Sequence, residues 1–156
     1  MDPITIVEND LLLDHQLCFG LSVASRSVIA AYKPVLAALQ LTHPQYLVML
    51  ALWEKAPRRL KDLSEVLLLE SATLSPLFKR LEVLGYISRT KDNTDERALA
   101  IDLTPEGAAL RQQALRVPGT MMARLGLDRE GALALHQSMM ALIDAATHAD
   151  SGELIA

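Results

Sequence analysis

The sequence has few cysteines, few aromatic residues and no excess of positive charge, and each shortage excludes a class of protein. Its single cysteine, Cys18, excludes an intramolecular disulfide and any zinc site built on paired cysteines. Six aromatic residues among 156 argue against a protein that binds single strands by stacking bases. The net charge of −4 excludes a uniformly basic nucleic-acid coat protein but is compatible with a local basic patch.

Long apolar runs and a secretion signal are also lacking. The longest stretch without charge, residues 34–53, contains two prolines and several polar residues, so it is a poor candidate to span a membrane. The first ten residues are acidic and lack the basic start of a signal peptide. Together with the single cysteine, these features predict a cytoplasmic protein with no membrane partner.

What the sequence does contain is typical of a globular, mainly helical protein. Hydrophobic residues make up 51% of the chain, and its length suits one domain over residues 1–156. Helical patterns predict long helices over about 10–41 and 104–147. The first should begin at Leu11, capped by Asp10. Cys18 then lies about two turns inside it, where the helix dipole has little influence on a thiolate.

The centre of the chain, about 57–103, has a different pattern. A capping box at Thr42 predicts a helix to about Lys55, and short amphipathic helices follow over about 60–68 and 73–84. Two strands, 86–91 and 98–103, flank a polar turn. The fold class is therefore mainly α with a small β-hairpin wing: a winged helix-turn-helix flanked by long helices. Because these helices are too apolar for one small domain, they predict dimerisation.

The second short helix has a polar face suited to the major groove of DNA. Its candidate contacts are cations and hydroxyls, namely Thr73, Ser75, Lys79 and Arg80. The hairpin supplies further candidates in Arg89, Lys91, Asp95 and Arg97, because an arginine on a narrow ribbon suits a minor groove. The local charge supports DNA binding by this region only weakly. Two amphipathic helices beside a solvated hairpin, with no role in DNA binding, would give the same sequence pattern.

Four segments of the sequence resemble the MarR-type winged-helix repressors: Leu74 to Glu82, Gly85-Tyr86-Ile87, DNTDER over 92–97, and Leu103 to Gly107. The resemblance implies a homodimer with interleaved terminal helices that binds double-stranded, pseudo-palindromic operator DNA. It also implies that Asp95 braces the wing and that Arg97 reaches the minor groove.

The segment around Cys18 resembles the organic-hydroperoxide-sensing group of that family. The matching residues are Cys18-Phe19, Ser25-Arg26, Ala31-Tyr32, Leu41-Thr42 and Pro44 to Leu50. The resemblance implies that Cys18 senses the peroxide and that Tyr32 of the partner subunit hydrogen-bonds its thiolate. Where the group has a second tyrosine, this chain has His43. Either His43 takes over the tyrosine's role and makes thiolate formation pH-sensitive, or it only faces water at a helix start.

Alternatives to a redox sensor remain open at this stage. Lone cysteines are commonly buried packing residues, in which case a reversible small ligand would release DNA. A one-cysteine thiol peroxidase is a third interpretation, although no second thiol or arginine cluster accompanies Cys18. If Cys18 is oxidised, its sulfenic acid has no second cysteine in the chain. It could condense with a low-molecular-weight thiol, attack a backbone nitrogen or over-oxidise, and a bridge between the Cys18 residues of two subunits requires that they come within disulfide reach. No phosphate loop, catalytic triad or ligand cluster is visible, so we expect neither an enzyme nor a cofactor or metal.

Overall fold

A computed structural model of the chain describes residues 8–95 and 97–149. In chain order its helices and strands are α1 (Leu17–Ala37), α2 (His43–Glu54), β1 (Arg58–Arg59), α3 (Leu60–Leu67), α4 (Ser71–Val83), β2 (Ile87–Lys91), β3 (Leu99–Leu103), α5 (Pro105–Ala114), α6 (Val117–Arg124) and α7 (Arg129–Ala149). They fall into two compact units, one ending at Leu115 and the other beginning at Arg116. The predicted fold class, a winged helix-turn-helix with long helices before and after it, is confirmed.

The first long helix begins later than the sequence predicted. Residues 8–15 form two short 3-10 turns, and α1 begins at Leu17, after Gln16 in an extended conformation. The Gln16 side chain donates hydrogen bonds to two backbone carbonyls of these turns. The predicted start at Leu11 with Asp10 as its cap is therefore wrong. Leu11 is 92% exposed, so a helical turn there would gain no packing energy, and propensity alone does not sustain one turn.

The end of α1 also differs from the prediction. The helix passes through Pro34 and ends at Ala37, although the sequence suggested a continuation to Leu41. Gln40 adopts a left-handed φ of 56°, which turns the chain out of the helix. The Leu41 backbone N–H then bonds to the carbonyl of Leu36 at 3.2 Å, and both leucines are buried. This turn brings the start of α2 back against the last part of α1.

The helix-turn-helix matches its predicted bounds within about two residues. At the start of α2, the side-chain oxygen of Gln45 accepts the backbone N–H of Thr42 at 2.9 Å, as the capping box predicted. The apolar faces of α3 and α4 meet in the core. Their most deeply buried side chains, each at most 2% exposed, are Leu63, Leu74, Phe78 and Leu81.

The wing is a three-stranded antiparallel sheet with strand order β1-β3-β2. In the predicted hairpin, Ile87 pairs with Leu103, and β1 adds to the other side of β3 by pairing Arg58 with Ile101. Strand β1 was not predicted, because two residues are too few to show an alternating pattern. Ile101 is fully buried, so β3 is the strand that attaches the wing to the core.

A close backbone contact at Gly107 joins the hairpin to α5. The Thr104 hydroxyl accepts the N–H of Gly107 at 3.0 Å and donates to the carbonyl of Gly85 at 2.5 Å. A Cβ atom on Gly107 would lie 1.9 Å from the carbonyl oxygen of Tyr86, so only glycine fits here. The Gly107 carbonyl in turn accepts the indole N–H of Trp53 at 2.8 Å, which ties α2 to α5.

The second unit contains α6 and α7. Asp128 caps α7 as predicted, since its carboxylate accepts the N–H of Gly131 at 2.7 Å. None of the 21 residues of α7 is buried. Its exposed large apolar side chains are Leu133, Leu135, Met139, Met140 and Ile143. An apolar surface of this kind is typical of an interface with another molecule. Within residues 8–95 and 97–149, none of the helices has the length and hydropathy that a membrane span requires.

We expect Gly107→Ala to lower the free energy of unfolding by about 3 kcal/mol or more, because the new methyl group must displace backbone on both sides of the junction. Urea unfolding followed by circular dichroism measures this. Gly119→Ala is the matched control: its Cβ position on α6 is open, so alanine should be neutral or stabilising by up to about 1 kcal/mol. Equal midpoints for the two variants would contradict the close contact.

Candidate functional site

The predicted recognition helix, α4, presents a polar face to solvent. Its four candidate DNA contacts are all exposed: Thr73, Ser75, Lys79 and Arg80. The Ser75 hydroxyl donates a hydrogen bond to the carbonyl of Ser71 at 3.0 Å, which leaves its oxygen lone pairs to accept. The face therefore offers two cations and two hydroxyl groups, a set that can bind base edges and phosphates in a major groove.

The tip of the wing is anchored to the start of α3 by Arg59. The Arg59 guanidinium donates to the carboxylate of Asp92 at 2.5 Å and to the hydroxyl of Thr94 at 2.6 Å. Thr94 in turn donates through its N–H and its hydroxyl to Asp92, both at 2.7 Å. The hydrogen bond from Arg59, together with those from Thr94, holds the pKa of the Asp92 carboxyl far below its ordinary value. The anchor therefore stays ionised at any pH used for DNA binding.

A second ion pair fixes the base of the wing to the recognition helix. Arg89 on β2 donates to the carboxylate of Glu82 on α4 at 2.5 Å, and both side chains are about one-third exposed. This hydrogen bond lowers the pKa of the Glu82 carboxyl. Arg89 was predicted from sequence as a DNA contact. In the structure its guanidinium instead binds the Glu82 carboxylate of α4 and so holds the wing and the recognition helix together.

The remaining predicted wing residues lie at the outer end of the hairpin. Lys91, Asp95 and Arg97 are all exposed. The Asp95 carboxylate accepts the backbone N–H of Arg97 at 3.0 Å, and the Asp95 carbonyl accepts that of Ala98 at 3.0 Å. Asp95 thus closes the turn that presents Arg97. The longer-range brace between this end of the wing and the start of α3 is the Arg59–Asp92 pair.

Cys18 is the second residue of α1 and is exposed. Because α1 begins at Leu17, the prediction that Cys18 lies two turns inside a helix is wrong. The thiol lies in the first turn, where backbone N–H groups have no acceptor within the helix and the helix dipole favours negative charge.

Tyr32 and His43 lie together, at the opposite end of α1 from Cys18. Their rings meet edge to face with centroids 5.2 Å apart, and the ring of Tyr46 lies 6.0 Å from that of Tyr32. Burial lowers the pKa of His43, so its ring is neutral near pH 7. Burial, with the neighbouring Tyr32, raises the pKa of Tyr46.

The helix itself sets the distance between the cysteine and this aromatic group. Fourteen residues separate Cys18 from Tyr32 on the same helix, which corresponds to about 21 Å along its axis. His43 contacts the Tyr32 ring edge to face and therefore lies at the same end of α1. Within one chain, neither side chain can hydrogen-bond the Cys18 thiolate.

Sequence reasoning missed the anchoring role of Arg59, Asp92, Thr94 and Glu82. The partners Arg59 and Asp92 are 33 positions apart, and no local pattern connects such distant residues. The available signal was a pair of arginines immediately before a short helix and an aspartate at the start of the turn. Among the described residues, no three His, Cys, Asp or Glu side chains gather as a metal site would require.

Comparisons with known proteins agree on the kind of molecule this is. A family model described as transcriptional regulator SarA/Rot matches residues 30–113. The organic hydroperoxide resistance transcriptional regulator of Bacillus subtilis is 43% identical over 130 residues, covering 83% of this chain and 86% of that protein. The structure is similar to that of reduced AbfR bound to DNA, with a TM-score of 0.77, 30% identity and coverage of 90% and 96%. It is also similar to overoxidised AbfR bound to DNA, with a TM-score of 0.70, 32% identity and coverage of 90% and 99%. AbfR is a protein of Staphylococcus epidermidis.

The fold, with its exposed recognition helix and its wing, is that of a winged-helix DNA-binding transcriptional regulator. Within that class, the chain belongs to the MarR-type family, in the group that contains the organic hydroperoxide resistance regulators. Its relatives are transcriptional regulators and not enzymes.

We expect Asp92→Asn to weaken DNA binding about threefold to tenfold, because it releases the wing tip from Arg59. The direction is diagnostic, since losing a negative charge near DNA would otherwise strengthen binding. Fluorescence anisotropy with a duplex recovered by selection from random sequence measures the affinity.

Asp102→Asn is the matched control, because the Asp102 carboxylate on β3 accepts only the N–H of the next residue, at 2.8 Å. It should bind DNA as well as the wild type or better. Tighter binding by Asp92→Asn would show that Arg59 does not position the wing.

Proposed function

We propose that this protein is a homodimeric repressor that binds a pseudo-palindromic operator and is released when an organic hydroperoxide oxidises Cys18. The observation that carries the proposal is the separation of about 21 Å between Cys18 and Tyr32 along one helix. If Tyr32 supports the thiolate, as the resemblance implies, and His43 takes the role of the group's second tyrosine, both residues must come from a second subunit. The sensor is then a feature of the dimer.

An antiparallel pairing of α1 with its copy satisfies this requirement twice. A two-fold axis sets the Cys18 end of each helix beside the Tyr32 end of the other. Apolar surface at both ends supports the pairing. Leu13 and Leu17, near Cys18, are 64% and 65% exposed. At the other end a groove of about 400 Å³, lined mainly by apolar side chains such as Ile29, lies beside His43. In the dimer each apolar end covers the other.

The peroxide reacts at the sulfur of Cys18. The thiolate attacks the outer oxygen of the hydroperoxide, the O–O bond breaks, and the alcohol leaves after taking up a proton. The product is a sulfenic acid. The hydroxyl of the partner's Tyr32 and one ring N–H of the partner's His43 donate hydrogen bonds to the thiolate before the attack. Since burial keeps His43 neutral near pH 7, it supplies a hydrogen bond without a charge, as the tyrosine it replaces would.

The sulfenic acid then condenses with a low-molecular-weight thiol. The thiol's sulfur bonds to the sulfur of Cys18, water leaves, and a mixed disulfide remains. No second cysteine in the chain competes for this step. Added oxygen atoms are compatible with DNA binding in AbfR, whose overoxidised form is bound to DNA in its solved structure. This favours the bulkier adduct as the form that releases DNA.

Release follows from repacking of the dimer. The adduct is too large for the site between Cys18 of one subunit and Tyr32 of the other, so the two α1 helices shift. The two recognition helices then no longer match successive major grooves, about 34 Å apart. A tenfold loss of affinity requires only about 1.4 kcal/mol, which one misplaced group in a packed interface supplies.

We expect cumene hydroperoxide with free cysteine to release the wild type from a selected duplex, whereas Cys18→Ser stays bound. Electrophoretic mobility shift measures release, and mass spectrometry identifies the adduct on Cys18. Retention of the wild type despite complete modification of Cys18 would contradict the proposal. It would favour instead a regulator released by a reversible ligand.

Mixed dimers test whether the site is shared between subunits. A dimer of Cys18→Ser with Tyr32→Phe has one intact site if the two residues come from different subunits. A dimer of wild type with the double variant then has none. We expect fast alkylation of Cys18 by iodoacetamide only in the first dimer. The opposite order of rates would place Tyr32 beside the cysteine of its own chain.

A further inference from the structure

A cleft of about 550 Å³ separates the wing from the helix-turn-helix. One wall is formed by α3 and by Ser71, the first residue of α4, and the other by the outer part of the hairpin. Its charged lining residues are Arg59, Lys61, Glu65, Asp95 and Arg97. Neither Lys61 nor Ser71 belongs to the DNA contacts predicted from sequence.

The geometry of DNA determines what must pass through this cleft. Adjacent major and minor grooves are separated by one sugar-phosphate strand. If α4 occupies the major groove and Arg97 enters the neighbouring minor groove, that strand crosses between α4 and the wing. The cleft lies between the wing and α3, with Ser71 as the one residue of α4 in its lining, so the strand would reach it beside the start of the recognition helix. Its occupant would carry one negative charge per nucleotide, about 3.4 Å apart along the strand.

We propose that this cleft binds a backbone phosphate of the strand between the two grooves, with Lys61 as its main cation and the Ser71 hydroxyl as a second donor. This inference rests on the proposed placement of α4 and the wing on DNA. It adds α3 to the DNA interface. Since a phosphate contact carries no sequence information, Lys61 contributes affinity and register, not specificity.

The charged side chains in the cleft are not equally available to bind a phosphate. Arg59 is engaged with Asp92 and Thr94, so it sets the position of the wing wall. The Asp95 carboxylate is turned toward the N–H of Arg97.

Lys61 has only a loose partner. Its ammonium lies 4.0 Å from the Glu65 carboxylate, with the two side chains 84% and 67% exposed. An exposed pair of this kind contributes little to stability, so Lys61 can turn to a phosphate without cost to the fold.

The Lys61–Glu65 pair supplies the test. Lys61→Gln and Glu65→Gln break the same pair on α3, so a merely structural effect would have the same sign in both. A phosphate site predicts opposite signs. Lys61→Gln should weaken binding to the selected duplex and to a mixed-sequence duplex by a similar factor, on the order of fivefold to tenfold. It should also reduce the slope of log affinity against log salt by about one. Glu65→Gln should strengthen binding to both duplexes.

Arg97→Gln separates failure of this inference from failure of the proposed function. If Arg97→Gln reduces the salt slope and Lys61→Gln does not, the cleft holds no phosphate and the inference is overturned, while the wing's placement stands. If both glutamine variants of the α3 pair weaken binding equally, the effect is structural and the inference is again overturned. If Arg97→Gln also leaves the affinity and the salt slope unchanged, the proposed placement of the wing in the minor groove is contradicted. The phosphate site in the cleft, which depends on that placement, is then contradicted as well.

Discussion

The rigidity of α1 is the constraint on which the rest of the molecule depends. A helix fixes the distance between residues at its two ends, and here it holds Cys18 and Tyr32 about 21 Å apart. The Cys18 thiol, in the first turn of α1, is exposed in a single chain. Apolar side chains near Cys18 are exposed as well, and an apolar groove lies beside His43. Sensor assembly and dimer assembly are therefore the same event in the proposed function.

Polar contacts, in contrast, make the DNA-reading part rigid within one chain. Arg59 ties the wing tip to the start of α3, and Arg89 ties the wing base to Glu82 on α4. Gly107 joins the hairpin closely to α5. The recognition helix and the wing are thus held in one body. In the proposed function, the variable left to regulation is the spacing between the half-site readers of two chains, which α1 would set through its packing against its copy.

Local patterns predicted most of the fold and fewer of the contacts. The capping box at Thr42, the apolar spacing of α4 and the turn between β2 and β3 all involve neighbouring residues, and the structure confirms the elements they predict. The predicted start of α1 was wrong, because where the helix begins depends on whether Leu11 finds packing partners. The anchor between Arg59 and Asp92 could not be predicted, since it joins positions that only the folded sheet brings together. The role of Cys18 rests on the resemblance and that of Arg97 on its place in the hairpin together with the resemblance, and both stay predictions.

His43 distinguishes this chain from the pattern it resembles, and its surroundings give the difference a physical meaning. Tyrosine and neutral histidine each offer one hydrogen-bond donor, so near pH 7 the exchange preserves the number of donors. Burial lowers the pKa of His43, which confines its protonation to more acidic conditions than those in which a free histidine charges. There the ring gains a positive charge, which a phenol cannot do. In the proposed dimer that charge faces the sulfur of Cys18 and attracts a thiolate. In the proposed function, the exchange of tyrosine for His43 therefore makes thiolate formation at Cys18 depend on the charge of the histidine ring.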